Sequence, residues 1–277
     1  MPVRSLMSMF RGAAVLLAFL PAPGWATLVD FTVEGGAIRG RVELPGDLAV
    51  DVELDFEEVI GLSVENLGLS ARLVDAGELL GRLPAGVSLT GSIPVLIEIE
   101  PPAGSPLSFA GVYTLELHTH DLIYVTNCPL RLFKAPLGGV FEDITASMGA
   151  GSYRVRGTSG GFSQFLILVE GRLPTAVVDL KLATLEDLVE EHWEELPGAV
   201  AAEIQSLLDD AWAHYALGEY AAASLSVEDL GQAVLESSPP IPNVWRASRD
   251  LTNASGELRA AASTLRFSLA LLASQAP

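Results

Sequence analysis

From residue 27 to about residue 170 apolar and polar positions alternate with a period of two. Val50, Val52, Leu54 and Phe56 are interleaved with Asp51, Glu53, Asp55 and Glu57. Successive side chains of an extended chain point to opposite faces, so this segment reads as a strand with one buried and one wet side. The alternation returns in Val95, Ile97 and Ile99 against Glu98 and Glu100, and in Leu115 and Leu117 against Glu116 and His118. Turn-forming residues separate the runs, among them Gly35-Gly36, Pro45-Gly46, Pro101-Pro102, Gly138-Gly139 and Gly160-Gly161. Roughly nine short strands with regular turn signals predict an antiparallel β-sandwich over residues 27–172. A short helix or a loop is expected around Ala76 to Leu83.

After Gly171 the period lengthens to that of a helix. Thr184, followed by Asp187, predicts a helix start, with Leu185, Leu188 and Val189 as its stripe. Pro197 opens a second helix, with Val200, Ile204, Leu207, Leu208, Ala211 and Tyr215 on one face and Gly218 as its stop. A third runs from about Tyr220 to Glu236, ahead of Pro239-Pro240. In the last, Ala247, Leu251, Ala254, Leu258, Ala261, Leu265, Ser268 and Leu272 recur in steps of four and three, a narrow seam of small and large residues. Residues 183–277 therefore read as an all-α helical bundle. The expected fold class is α+β as segregated domains, an antiparallel β-sandwich followed by the bundle. Leu251, Leu258 and Leu265 either fill the bundle core or form a partner-binding face.

The N-terminus changes the setting of both halves. Arg4 and Arg11 precede the apolar run Ala13 to Leu20, then come Pro21, Pro23 and Gly24-Trp25-Ala26. This is the order of a cleavable secretory signal peptide, residues 1–26, with Thr27 as the first mature residue. The run is too short to cross a bilayer, which takes about twenty apolar residues. An extracytoplasmic protein, periplasmic or secreted and without an integral membrane span, is expected. The leader takes two of the 16 basic residues and none of the 35 acidic ones, leaving 14 against 35 and a formal charge of −21. Such a field opposes nucleic acid and anionic lipid as partners and leaves a protein or cell-surface partner of unknown identity. Cys128 is the only cysteine, so no intramolecular disulfide exists and packing alone must hold the fold. It reads as a small buried hydrophobe in a strand.

Two resemblances span most of the mature chain. "PVLIEIEPPAG", "PLRLFKAPLGGVFEDIT", "GSYRVRG" and "GGFSQFLI" between Ile93 and Val169 resemble the ZU5-like β-sandwich modules of large secreted bacterial proteins. The segment "SLLDDAWAHYALGEYAAA" is similar to FIMAH-type helical modules of secreted bacterial proteins. The resemblance implies a bacterial, extracytoplasmic architecture and no catalytic motif.

Candidate chemistry is sparse. Glu116, His118 and His120 share one face of a strand, and two histidines so spaced can grip one divalent metal ion with Glu116 or a neighbouring strand as third ligand. Polar residues on a solvated sheet face give the same letters. Gly157-Thr158-Ser159-Gly160-Gly161 matches the Gly-x-Ser-x-Gly of esterases, but it lies between two strand-like segments and reads as a hairpin loop. The row Asp51, Glu53, Asp55 and Glu57 reads as solubilising charge rather than a calcium cage. Trp193, Trp212 and Trp245 fall in the helical half and read as packing residues. These readings lead to an exported non-catalytic structural or interaction protein needing no cofactor. The alternative is a metal-dependent binding module or hydrolase using His118 and His120.

Overall fold

The computed structural model describes residues 26–125 and 127–275. The predicted leader lies outside them up to residue 25. Among the described residues the chain is mixed α+β, with thirteen strands in two antiparallel sheets and five α-helices, numbered here in chain order. The first sheet has the order β1 (Thr27–Glu34), β2 (Ala37–Leu44), β3 (Leu48–Ile60), β7 (Ser108–Ile123), β11 (Ser152–Ser159), β10 (Thr145–Gly149). The second runs β4 (Leu69–Leu73), β6 (Val95–Ile99), β12 (Gln164–Glu170), β8 (Leu130–Ala135), β9 (Glu142–Asp143), with β5 (Val87–Leu89) also on β12. One short helix, α1 (Val64–Leu67), links β3 to β4. Ser63 opens it, accepting from the Asn66 N–H at 3.1 Å.

Alternation does what the sequence predicts. Val50, Val52, Leu54 and Phe56 of β3 meet Ile97, Ile99, Phe165 and Ile167 of the second sheet in one apolar core. The second sheet is covered on its other face as well, where Leu96, Phe133, Leu166 and Leu168 pack under Val74, Leu79 and Phe141. This is why β12, Gln164–Glu170, carries a continuous apolar run instead of an alternation. Residues around Ala76 to Leu83 form turns whose Leu79 plugs this second core. Cys128 is buried as expected, though in the loop before β8 rather than within a strand.

Helix limits differ from expectation at two places. The first long helix is α2 (Pro174–Glu191), started by Pro174 in its first turn. Thr184 lies inside it, donating its hydroxyl to the Leu180 carbonyl at 2.9 Å. The helical region thus begins well before residue 183. Next come α3 (Gly198–Ala216), with Pro197 immediately before it, and α4 (Tyr220–Glu236), as expected. The last helix is α5 (Ala254–Gln275), so Ala247 and Leu251 are not on it.

Instead, β13 (Val244–Arg246) leaves the helices and pairs with Ser108–Ala110 of β7. The reason is an open edge. Strand β11 ends where Ser159 faces Tyr113, which leaves the first residues of β7 without a neighbour on that side. Their N–H and C=O groups need partners, and β13 supplies them. Trp245 is carried into the sheet core, stacked on Phe109 at 5.4 Å, rather than into the helices. The two halves are therefore joined, not segregated. Helix α5 packs against α2 and α4 and also against β7, β10 and β11.

Close approach at the start of α5 depends on missing side chains. A Cβ on Gly160 would lie 2.6 Å from the Gly256 carbonyl carbon. Gly111 has φ +70°, and a Cβ there would strike the Glu57 carboxylate. Buried Asn253 joins these pieces: its amide donates to the Gly111 carbonyl at 2.7 Å and the Gly160 carbonyl at 2.9 Å, while its oxygen accepts from the Gly256 N–H at 3.0 Å. Glu57, last of the acidic row, holds Arg259 of α5. Burial pushes the Glu57 carboxyl upward, but Arg259 and the Val112 N–H outweigh it and hold it below the usual value.

At the end of α2, His192 is buried with its Nε2 3.0 Å from Glu257 of α5. The Glu257 hydrogen bond raises the imidazole above its ordinary value despite opposing burial. A raised folded-state value stabilises fully below the unfolded value of about 6.5, and the contribution is lost as pH rises through the folded one. The melting temperature of the wild-type chain should fall more between pH 6 and pH 8 than that of His192→Gln. Parallel melting curves for the two proteins across this range would count against the linkage.

Candidate metal centre

The outer face of the first sheet carries two cross-strand rows. Pairing places Arg41, Asp51, His118 and Arg154 side by side on β2, β3, β7 and β11. The neighbouring row is Arg39, Glu53, Glu116 and Arg156. Directly opposed side chains on adjacent strands interact, so the acidic row read from the sequence becomes a set of ion pairs: Arg39 with Glu53 at 2.9 Å and Arg41 with Asp51 at 2.7 Å.

His118 and His120 do share a face, with ring centroids 4.3 Å apart. Their third neighbour is Asp51. Its Oδ2 lies 2.7 Å from His120 Nε2 and 3.4 Å from His118 Nδ1. One ligand atom from each of Asp51, His118 and His120 falls within 4.8 Å of the others. Glu116, the expected third ligand, is drawn away by Arg154 at 3.3 Å and by Arg156. Both guanidiniums come from β11, a strand whose register alternation alone does not reveal.

Each inner member of the cluster is held from behind. His118 Nε2 lies 2.6 Å from the Ser152 hydroxyl, which orients the ring with Nδ1 toward Asp51. Arg41 Nε donates to Asp51 Oδ1 and leaves Oδ2 facing the histidines. Burial pushes the Asp51 carboxyl upward, but Arg41 and His120 outweigh it and keep it below its usual value. Burial, then Arg154 and His120, hold the His118 imidazole below its ordinary value, so the neutral, ligating form persists to lower pH. His120 is the exposed member, at 48% of its side chain. A carboxylate and two imidazoles converging at a solvent-facing point can bind a borderline transition metal and leave positions for water.

The other candidates are scattered. Ser159 ends β11 and the chain then crosses to β12 in the opposite sheet, so the Gly-x-Ser-x-Gly segment is neither a strand-to-helix elbow nor a hairpin. Leu258 and Leu265 are fully buried within the helical core, whereas Leu251 is 41% exposed in the loop before α5, so the three do not form one face. Trp193 is surface-exposed and Trp212 packs at the helical core's rim. Two polar clusters escape sequence reading altogether, Lys181 with Asp143 and Lys134 with Ser159, because their members meet only across distant segments. No helix among the described residues is long and apolar enough to cross a membrane.

A comparison with curated proteins finds no match. The chain belongs to DUF6689, a family of unknown function whose model matches residues 13–273.

Proposed function

We propose that this is an exported, non-catalytic metal-binding protein in which a β-sandwich, braced by a helical bundle, presents Asp51, His118 and His120 to a divalent transition metal. One observation carries this reading: three donor atoms of suitable type lie within 4.8 Å of one another on adjacent strands. The hydrogen bonds behind Asp51 and His118 support it, since metal ligands are oriented by such partners. Arg154 lies 3.5 Å from His118 Nδ1 and, being half exposed, swings aside into solvent when metal binds. Binding rather than hydrolysis follows from Glu116. As the neighbouring carboxylate it would serve as the base for a metal-bound water, but Arg154 and Arg156 occupy it. The signal-peptide pattern of residues 1–26 supports an extracytoplasmic setting.

Calorimetric titration of the mature protein with zinc should give one ion per chain. His118→Ala and Asp51→Ala should each weaken it by at least about tenfold, while Glu116→Gln leaves it nearly unchanged. Affinity should fall on acidification, because protons compete with the metal for its ligands. No zinc binding at pH 7.5, or equal loss in Glu116→Gln, would overturn the assignment.

A further inference from the structure

A second site, sharing no lining residue with the metal centre, lies between α2, α5 and the ends of β8, β9 and β11. It is a partly open cavity of about 260 Å³. Its wall is mostly apolar, formed by Ile144, Val177, Leu180, Leu188, Ala260 and Ala261. Charged groups also line it, and most are already matched: Asp143 by Lys181 at 2.8 Å, Arg172 by Glu170, and Glu257 by His192 at 3.0 Å. Glu142 is exposed to solvent. Lys134 is the exception. Its half-buried ammonium has no carboxylate oxygen within 4.0 Å among the described residues, and its hydrogen bond goes to the Ser159 hydroxyl at 2.8 Å.

From this geometry we infer that the cavity binds a small aliphatic monocarboxylate, its carboxylate on the Lys134 ammonium and its chain along the α2–α5 wall. A cation facing a mostly apolar cavity with no carboxylate in direct contact favours an anionic head, and the walls favour a hydrocarbon tail. Size restricts the tail. The volume is below the roughly 300–1,000 Å³ of drug-sized sites and holds about eight or nine atoms at about 30 Å³ each, which suits hexanoate. Burial keeps the Lys134 amine below its ordinary value, with Glu257 and Glu142 opposing, and a bound carboxylate would add to the groups that favour its charged form. Ser159 positions the Lys134 ammonium and is not a nucleophile. Its oxygen is already engaged by Lys134, by the Gly161 N–H at 3.3 Å and by donation to the Gly161 carbonyl at 2.8 Å.

The test is calorimetric titration of the whole mature protein with hexanoate, hexanol and hexylamine. Hexanoate should bind with a Kd of about 1 mM or tighter, hexanol at least about tenfold more weakly, and hexylamine more weakly still. Lys134→Met should bring hexanoate down to the level of hexanol and leave hexanol unchanged, which also reports that the variant is folded. Ala261→Leu, which fills the cavity, should weaken both ligands, and His118→Ala should weaken neither, separating this site from the metal centre. Equal binding of hexanoate and hexanol, or no binding of either, would refute the inference. So would undiminished hexanoate binding in Lys134→Met, or in Ala261→Leu should Lys134→Met fail to fold.

Discussion

Lys181→Ala should destabilise the protein by about 3–5 kcal/mol, the cost of removing one partner of a buried ion pair. Lys181 of α2 and Asp143 of β9 are both buried, with Nζ 2.8 Å from Oδ2. The remaining donors of the ammonium go to the Thr264 hydroxyl at 2.6 Å and the Ser268 hydroxyl at 3.0 Å, both on α5. Asp143 Oδ1 accepts from the Thr145 N–H at 2.8 Å. Burial pushes Lys181 below its ordinary value, and Asp143 pulls it back up. Truncating Lys181 leaves the carboxylate desolvated and unpaired where two helices meet the sheet. Lys181→Met combined with Asp143→Asn should regain most of the loss, because the methionine refills the volume and the amide oxygen still accepts from Thr145. Urea unfolding midpoints of Lys181→Met, Asp143→Asn and the double variant measure the coupling. Additive losses would show that the pair is not a unit.

The second large effect is in the helical core. Leu258→Ala and Leu265→Ala should each cost about 2–5 kcal/mol, the range for core truncations that leave a cavity. Both side chains are fully buried, packed among residues such as Leu182, Leu185, Leu230 and Val234. The double variant should lose cooperative melting, since two such losses rival the whole stability of a typical domain, about 5–15 kcal/mol. Leu251→Ala, in the exposed loop before α5, should change stability by no more than about 0.5 kcal/mol. Thermal melts test the series, and size-exclusion chromatography of the single variants should show no change of size. A normal melt with altered size for Leu258→Ala would instead mean that the seam serves association.

Local periodicity is what the sequence determined by itself. The alternation in β3 and β7 placed their apolar residues in a core and put His118 and His120 on one wet face, because side-chain direction in a strand follows from position alone. Helix α4 was legible to its limits, since Gly218 and Pro239-Pro240 bound it. Errors arose where a local signal competed with a better one. Thr184 and Asp187 imitate a helix start, yet the chain was already helical from Pro174. The seam read through Ala247 and Leu251 continues the rhythm of α5, but an open edge of β7 took the preceding residues as a strand.

Tertiary structure alone decided the partners. Register chose Asp51 rather than Glu116 as neighbour of the histidines: Arg154 and Arg156 arrive opposite His118 and Glu116 from a strand far along the chain. The same holds for Lys134 with Ser159 and Lys181 with Asp143, whose members come from different elements. Hydrophobic pattern sets which face of an element is buried. Which charged groups then meet across strands and helices depends on strand order and register, and these follow from the packing of the whole chain rather than from any segment of it.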